Sequence, residues 1–280
     1  MNKAMGFKIM RQLFFACALI IVASLIHTAQ AQELSNSDDP IEISADNSLE
    51  WQQKQKQYVA NGNVIVTQGT NKIFADQIIA DYRENETTGN TEIWQLTALE
   101  NVRLENDANK ATANKATYNI DTGLSTLTGG NLKLTLPDDQ TITAQERMEY
   151  NINEGVAKAV GNAKIKRGTD TLNANTITAY LTKDNNGKQK LKTAKASGRV
   201  QIKTADETVT GDKANYNAIN NTAEMTGNVK IKRGPNILEG ARAHVNLNTN
   251  ISKIFGNANN GKRVKGVFFP SSRPEKAEGQ

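Results

Sequence analysis

The residues able to do acid–base, nucleophilic or metal chemistry are few in this 280-residue chain and do not cluster. His27 and His244 are the only histidines, and Cys17 is the only cysteine. His244 sits in an alternating stretch, where it reads as a strand residue rather than a ligand. Carboxylates are plentiful but scattered, with no pair placed as an acid–base couple. Gly129-Gly130 reads as a turn and not as a phosphate cradle ahead of a helix. An Asp or Asn recurs at one point of a repeating unit, and a ladder of such residues can hold calcium. The glycine-aspartate nonapeptide context is missing, so a turn role is the better reading. No catalytic residue, metal or cofactor is therefore assigned. The patterned chemistry is apolar, made of Val, Ile, Leu and Ala, with aromatics at only 5%.

Those apolar residues are placed by an internal repeat. A Gly-Asn-like step opens a short alternating segment at residues 62, 100, 130, 161, 198, 227 and, in degenerate form, 256. The intervals are 38, 30, 31, 37, 29 and 29 residues, so a long-short-short pattern occurs twice. Two tandem three-unit blocks, about 62–160 and 161–255, follow from it. Repetition on this scale marks stacked units, none of which can bury its apolar face alone. Counted from the glycine position, apolar residues fall at +2, +4, +11, +16 and +18, a small residue at +13 and Asp or Asn often at +14. Period-two alternation of this kind gives strands with one apolar face, and the +13/+14 pair reads as a bend between two short segments. No mature window holds a helical stripe. The expected fold is all-β, an elongated twisted β-jellyroll or solenoid-like roll of many short antiparallel strands. Its interior is either packed shut or open along one side as a groove for flexible acyl chains; alternation is the same in both.

The ends and the charge add limits. Lys3, Lys8 and Arg11 precede the apolar run Leu13 to Ile26, and Ala29-Gln30-Ala31 fits a small-x-small cleavage site. Residues 1–31 are expected to be a cleaved signal peptide, with Cys17 inside its apolar region; an uncleaved anchor is the alternative. The mature chain then has no cysteine and no disulfide. Residues 32–258 form the β domain and 259–280 a polar tail. Three of the 34 basic residues lie in 1–31, which leaves 31 against 29 acidic ones. Residues 32–160 carry 10 basic and 20 acidic residues, residues 161–280 carry 21 and 9. An acidic and a basic half favour head-to-tail contact between copies, unless both are ordinary solvated surface. Export and the lack of an aromatic cluster argue against nucleic acid.

The run Gly62-Asn63-Val64-Ile65-Val66-Thr67-Gln68-Gly69-Thr70, followed by Lys72-Ile73 and Ala75-Asp76, resembles the LptA (OstA-like) family of periplasmic lipopolysaccharide-transport proteins of Gram-negative bacteria. Pro40-Ile41-Glu42-Ile43-Ser44-Ala45-Asp46 is similar to the family's first strand. Gly211-Asp212-Lys213 and Gly227-Asn228 are similar to its repeating strands, and Gly261-Lys262-Arg263-Val264 to its C-terminal edge. The resemblance spans about 40–272 and implies a slightly open β-jellyroll. It also implies end-to-end stacking between an LptC-like inner-membrane protein and an LptD-like outer-membrane translocon, with acyl chains of lipopolysaccharide in the groove. The family's lipid contacts map onto Ile41 and Ile43. Alternation adds Val64, Val66, Ile73, Ala75, Ile78, Val102, Leu104, Leu132, Leu134, Ile165, Leu172, Ile177, Val200, Ile202, Val229 and Ile231 as inward positions. The doubled block makes the chain longer than a short family member. The rival readings are a polysaccharide-binding or structural β-solenoid of the envelope, which predicts an exposed aromatic or carboxylate ladder, and an LptC-like relative.

Overall fold

The computed structural model describes residues 41–84, 91–106, 109–137, 139–184, 189–249, 251–257, 261 and 263–269. The segment 1–31, expected to be a signal peptide, and the chain beyond 269 lie outside them. All regular structure among these residues is β: eighteen strands, with no helix. In chain order they are β1 (Glu42–Ser44), β2 (Ser48–Gln52), β3 (Gln57–Gln68), β4 (Asn71–Glu84), β5 (Thr91–Glu105), β6 (Lys110–Asn119), β7 (Leu124–Thr128), β8 (Leu132–Leu136) and β9 (Gln140–Ala144). Then come β10 (Arg147–Asn151), β11 (Val156–Arg167), β12 (Asp170–Lys183), β13 (Gln189–Lys203), β14 (Glu207–Asn217), β15 (Thr222–Arg233), β16 (Asn236–Asn246), β17 (Ile251–Phe255) and β18 (Lys265–Val267). The all-β expectation is met.

The strands form an antiparallel meander. β3 to β6 pair in succession, β6 pairs the half-strands β7 and β8, these pair β10 and β9, both of which pair β11, and succession resumes from β11 to β16, while β1 and β2 share the two ends of β3. β17 and β18 likewise share the two ends of β16. Because each strand pairs only with near neighbours in sequence, the meander grows in one direction. With each pair of half-strands taken as one, fourteen strands follow one another along it, and thirteen spacings of about 4.8 Å make it roughly 60 Å long. Strand lengths run 12, 14, 15, 10 from β3 to β6 and 12, 14, 15, 11 from β11 to β14.

At residues 62, 100, 161, 198 and 227 the Gly-Asn-like steps do not open strands, contrary to the sequence reading. They lie in mid-strand. Asn61 pairs Gln77 and Val64 pairs Ala75, so Gly62 and Asn63 together oppose the single residue Asp76. The same two-for-one register shift recurs at Val160/Ala163, Ser197/Val200 and Thr226/Val229. This is a β-bulge, which bends the strand that carries it. Both bulge residues take positive φ: 86° and 42° at Gly62-Asn63, 84° and 48° at Gly161-Asn162, 77° and 48° at Gly227-Asn228. Glycine and asparagine are the residues that reach this region at least cost, and that is why the step repeats. In the third unit Gly129, Gly130 and Asn131 all have positive φ, and the bend there splits the strand into β7 and β8. The second unit departs, with Glu100 at φ 62° where the others have glycine.

The +14 residue has a related job. It lies within a continuous strand and not in a turn. Its side chain meets the second bulge residue of the following unit: Asn101 Nδ2 donates to Asp76 at 2.8 Å and Asn228 Nδ2 to Asp212 at 3.0 Å. Arg199 Nη2 donates to Asn175 at 2.9 Å, and Asn63 Nδ2 to Asp46 at 2.8 Å. A polar row thus follows the line of bulges. Along that line the sheet folds over on itself, because one buried cluster unites residues from both sides of the bulges.

The segment assigned to a polar tail from residue 259 contains β18. Val267, Gly266 and Lys265 pair Ile237, Leu238 and Glu239. The N-terminal half of β16 would otherwise present an unpaired edge.

Candidate functional site

The inward face has two chemical halves. On one side of the bulge line stand Val64, Val102, Leu132, Ile165, Leu172, Val200, Ile202, Val209, Val229 and Ile231, each no more than 3% exposed. On the other side the face is small, with Ala60, Ala80, Ala98, Ala116, Ala159, Ala196 and Ala243 buried together with Ile78, Ile177, Met148 and Met225. Short side chains on one half let the long aliphatic ones of the other approach closely, which is how two sheet faces reach core density. Ala75 is also buried, at 4%.

The inward positions expected from alternation are thus brought together, but not in one condition. In β11–β15 the interior is closed. At corresponding positions of the first block, Ile73, Leu104, Leu134 and Ile142 are only half-buried and Val66 is 8% exposed. Ile41, just before the edge strand β1, and Ile43, within it, are 53% and 37% exposed. Ile43 is in register with Val66, so it continues the inward row.

Sequence reasoning passed over Leu49 and took Trp51 only as a candidate for the exposed aromatic ladder of the polysaccharide-binding alternative. They are in register with the inward Ala60 and with Tyr58, and are 62% and 60% exposed. Trp51 is held in place: its Nε1 donates to the Tyr82 hydroxyl at 2.8 Å, and its ring stacks on Tyr58 at 6.2 Å. The period-two spacing of Leu49 and Trp51 was the available signal, but β2 precedes the first Gly-Asn step and so fell outside the repeat. The meander therefore ends at β1–β2 with its apolar interior uncovered. At the other end Val264, Val267, Phe268 and Phe269 are exposed by 46%, 37%, 65% and 58%. Among the described residues no strand pairs the outer edges of β1, β2, β17 and β18.

Polar groups close the hairpin side of the interior. Gln68, Gln140, Thr204 and Glu207 are buried at 6%, 3%, 7% and 6%. Among the described residues no three His, Cys, Asp or Glu side chains stand together as a metal group. Tyr82 and Tyr216 are buried, so neither joins an exposed aromatic ladder, and burial pushes the Tyr216 hydroxyl above its ordinary value.

One rim pair has a pH signature. Arg83 reaches across β5 and grips Asp121 through two hydrogen bonds, at 2.7 and 2.9 Å. The hydrogen bond and then the charge of Arg83 hold the Asp121 carboxyl below its usual range, against some desolvation. A lowered folded-state value means that stability is present above the unfolded-state value and is lost as pH falls through the folded one. Asp121→Asn is therefore expected to flatten the acid limb of a stability-versus-pH curve and leave its alkaline limb alone. Parallel acid limbs for the two proteins, measured by denaturant midpoints, would refute the assignment.

The family described as LptA/(LptD N-terminal domain) LPS transport protein matches residues 42–156 and again 141–251. Among curated proteins none matches. Among solved structures, the chain is similar to LptH, described as the LptA homologous periplasmic component of the conserved lipopolysaccharide transport device from Pseudomonas aeruginosa. That likeness has 15% identity, covers 84% of this chain and 99% of the other, and superposes loosely, with a TM-score of 0.22. The two family matches together take in residues 42–251 of 280, and the chain belongs to the LptA/LptD N-terminal family of lipopolysaccharide transport proteins.

Proposed function

We propose that the protein is a non-enzymatic periplasmic carrier that shelters the acyl chains of lipid A and bridges inner- and outer-membrane transport complexes. The observation that carries this reading is an aliphatic interior left uncovered at one end, in a chain of a lipopolysaccharide transport family. Burial of a methylene is worth about 0.8 kcal/mol, so a few acyl chains supply ample affinity without polar contacts. The half-buried row Ile73, Leu104, Leu134 and Ile142 continues inward from Ile41 and Ile43, and it marks the first block as the stretch that opens for cargo. The closed row of β11–β15 is the part that gives the carrier its length. One-way movement requires energy from an ATP-driven partner.

In this reading the two outer edges are docking elements. A strand of an LptC-like or LptD-like partner, or of a second copy, adds to the ladder and covers the exposed apolar residues at the same time. The acidic first half and basic second half favour head-to-tail order among copies. Export by a cleaved signal peptide places the carrier between the membranes.

A photo-crosslinking amino acid tests the cargo. Placed at Ile43 or Leu134 it is expected to capture lipopolysaccharide, while at Ile219, exposed by 70% in the turn between β14 and β15, it captures none. Capture at Ile219 alone, or at none of the three while transport proceeds, would overturn the reading.

A further inference from the structure

The outward face of β11–β15 carries a charge pattern that an apolar carrier does not require. Lys164, Lys166, Lys203, Lys230 and Lys232 are exposed and alternate with the inward Ile165, Ile202 and Ile231. Pairing registers align them across five strands. One row reads Lys166, Thr171, Lys203, Thr208, Lys232. The row beside it reads Lys164, Asn173, Gln201, Thr210, Lys230. In the first row a lysine therefore recurs at every second strand, about 10 Å apart, with a threonine hydroxyl between each pair. Lys230 is paired with Glu239 at 3.1 Å. Among the described residues no carboxylate stands within ion-pair distance of Lys164, Lys166, Lys203 or Lys232. Like charges kept in line without partners repel one another, and a bound polyanion relieves that repulsion.

We propose that this face is a binding site for an extended anionic polysaccharide of the envelope, lying along the outside of the protein and separate from the buried cargo. Geometry selects the occupant. Neighbouring strands rotate by about 20–25°, so the row turns through roughly 80–100° from β11 to β15. A flat bilayer meets only part of such a row, whereas a flexible chain follows it. Lysines are compact point charges on long stems rather than the rigid forks that grip single phosphates, and they suit charges repeating along a chain. The intervening Thr, Asn and Gln side chains offer donors and acceptors to sugar hydroxyls. The row also lies on the opposite side of the sheet from the aliphatic interior, so both sites can be filled together.

The experiment uses the mature protein and polygalacturonate as the probe, with neutral dextran of equal length, phosphatidylglycerol vesicles and a single-stranded oligonucleotide as competing ligands. Polygalacturonate is expected to bind and to weaken steeply with salt, and dextran not to bind. The variant Lys166→Gln/Lys203→Gln/Lys232→Gln is expected to bind at least about tenfold more weakly, with a shallower salt dependence. The variant Lys54→Gln/Lys115→Gln/Lys253→Gln changes net charge equally away from the row and is expected to bind as the unmodified protein does. These outward changes leave the core intact, and matching thermal melts check that. Saturation with a lipid A probe is expected to leave polygalacturonate binding unchanged, so loss of either site is seen independently of the other. Equal loss in both variants, no loss in the first, or tighter binding of the vesicles or the oligonucleotide would overturn the proposal.

Discussion

Gly161→Ala is expected to destabilise the protein by about 3 kcal/mol, or about 10 °C in Tm for a domain of this size. Two terms add. Gly161 has φ 84°, a conformation that costs an L-residue about 1–2 kcal/mol. A Cβ there would also stand 2.7 Å from the backbone nitrogen of Glu146 and 2.5 Å from its Cγ. The side chain can swing away, but the backbone nitrogen cannot, because it donates to the Val160 carbonyl at 3.1 Å across the bend. Gly168 supplies the control. It too has positive φ, at 55°, but a Cβ added there would meet nothing within 4 Å, so Gly168→Ala is expected to cost only about 1 kcal/mol. Urea midpoints of the two variants decide the matter. Equal losses would mean that conformation alone is at stake and that the fold line is not tightly packed.

Val209→Asp is expected to have a larger effect, confined to one block. Val209 is 0% exposed, in the closed part of the interior. A carboxyl there has no water, and burial raises its pKa by up to about 3–5 units, each unit being about 1.4 kcal/mol. The destabilisation is then about 4 kcal/mol or more at neutral pH. The sign follows from the raised value. Below the unfolded-state pKa the carboxyl is neutral in both states and the loss is smallest, and the loss grows as pH rises toward the folded-state value. A stacked fold responds locally, since each unit touches only its neighbours. Hydrogen exchange is therefore expected to speed up in β11–β16 while β3–β5 keep their protection. Uniform acceleration along the chain would show instead that the meander unfolds as one unit.

The inward row was legible in the sequence because alternation is a local signal. Val64, Ile165, Val200 and Ile231 stand at +2 and +4 of their units and are buried by 98% or more. The Gly-Asn step was recognised but misplaced, since the same residue types serve a turn and a bulge: both need positive φ. Only the register, with two residues facing one, tells them apart. The partner of the +14 residue was likewise invisible. Asp76 and Asn101 are 25 residues apart and meet because the next strand returns beside the first. β2 was missed because it precedes the first repeat, and β18 because three residues are too few to alternate convincingly.

By itself, the sequence determined the strand period, the identity of the inward residues and the spacing of the bends. Each of these depends on residues near one another in the chain, where alternation and φ preference act directly. Tertiary structure decided the rest. Whether an inward residue is sealed, as Ile202 is, or half open, as Leu134 is, depends on how closely the two halves of the folded sheet approach. Which residues stay uncovered, as Trp51 and Phe268 do, depends on where the meander ends. That Lys166, Lys203 and Lys232 form a line depends on the registers of four strand pairs. Distances between strands are set by packing and hydrogen-bond register across long loops of chain, and no local pattern encodes them.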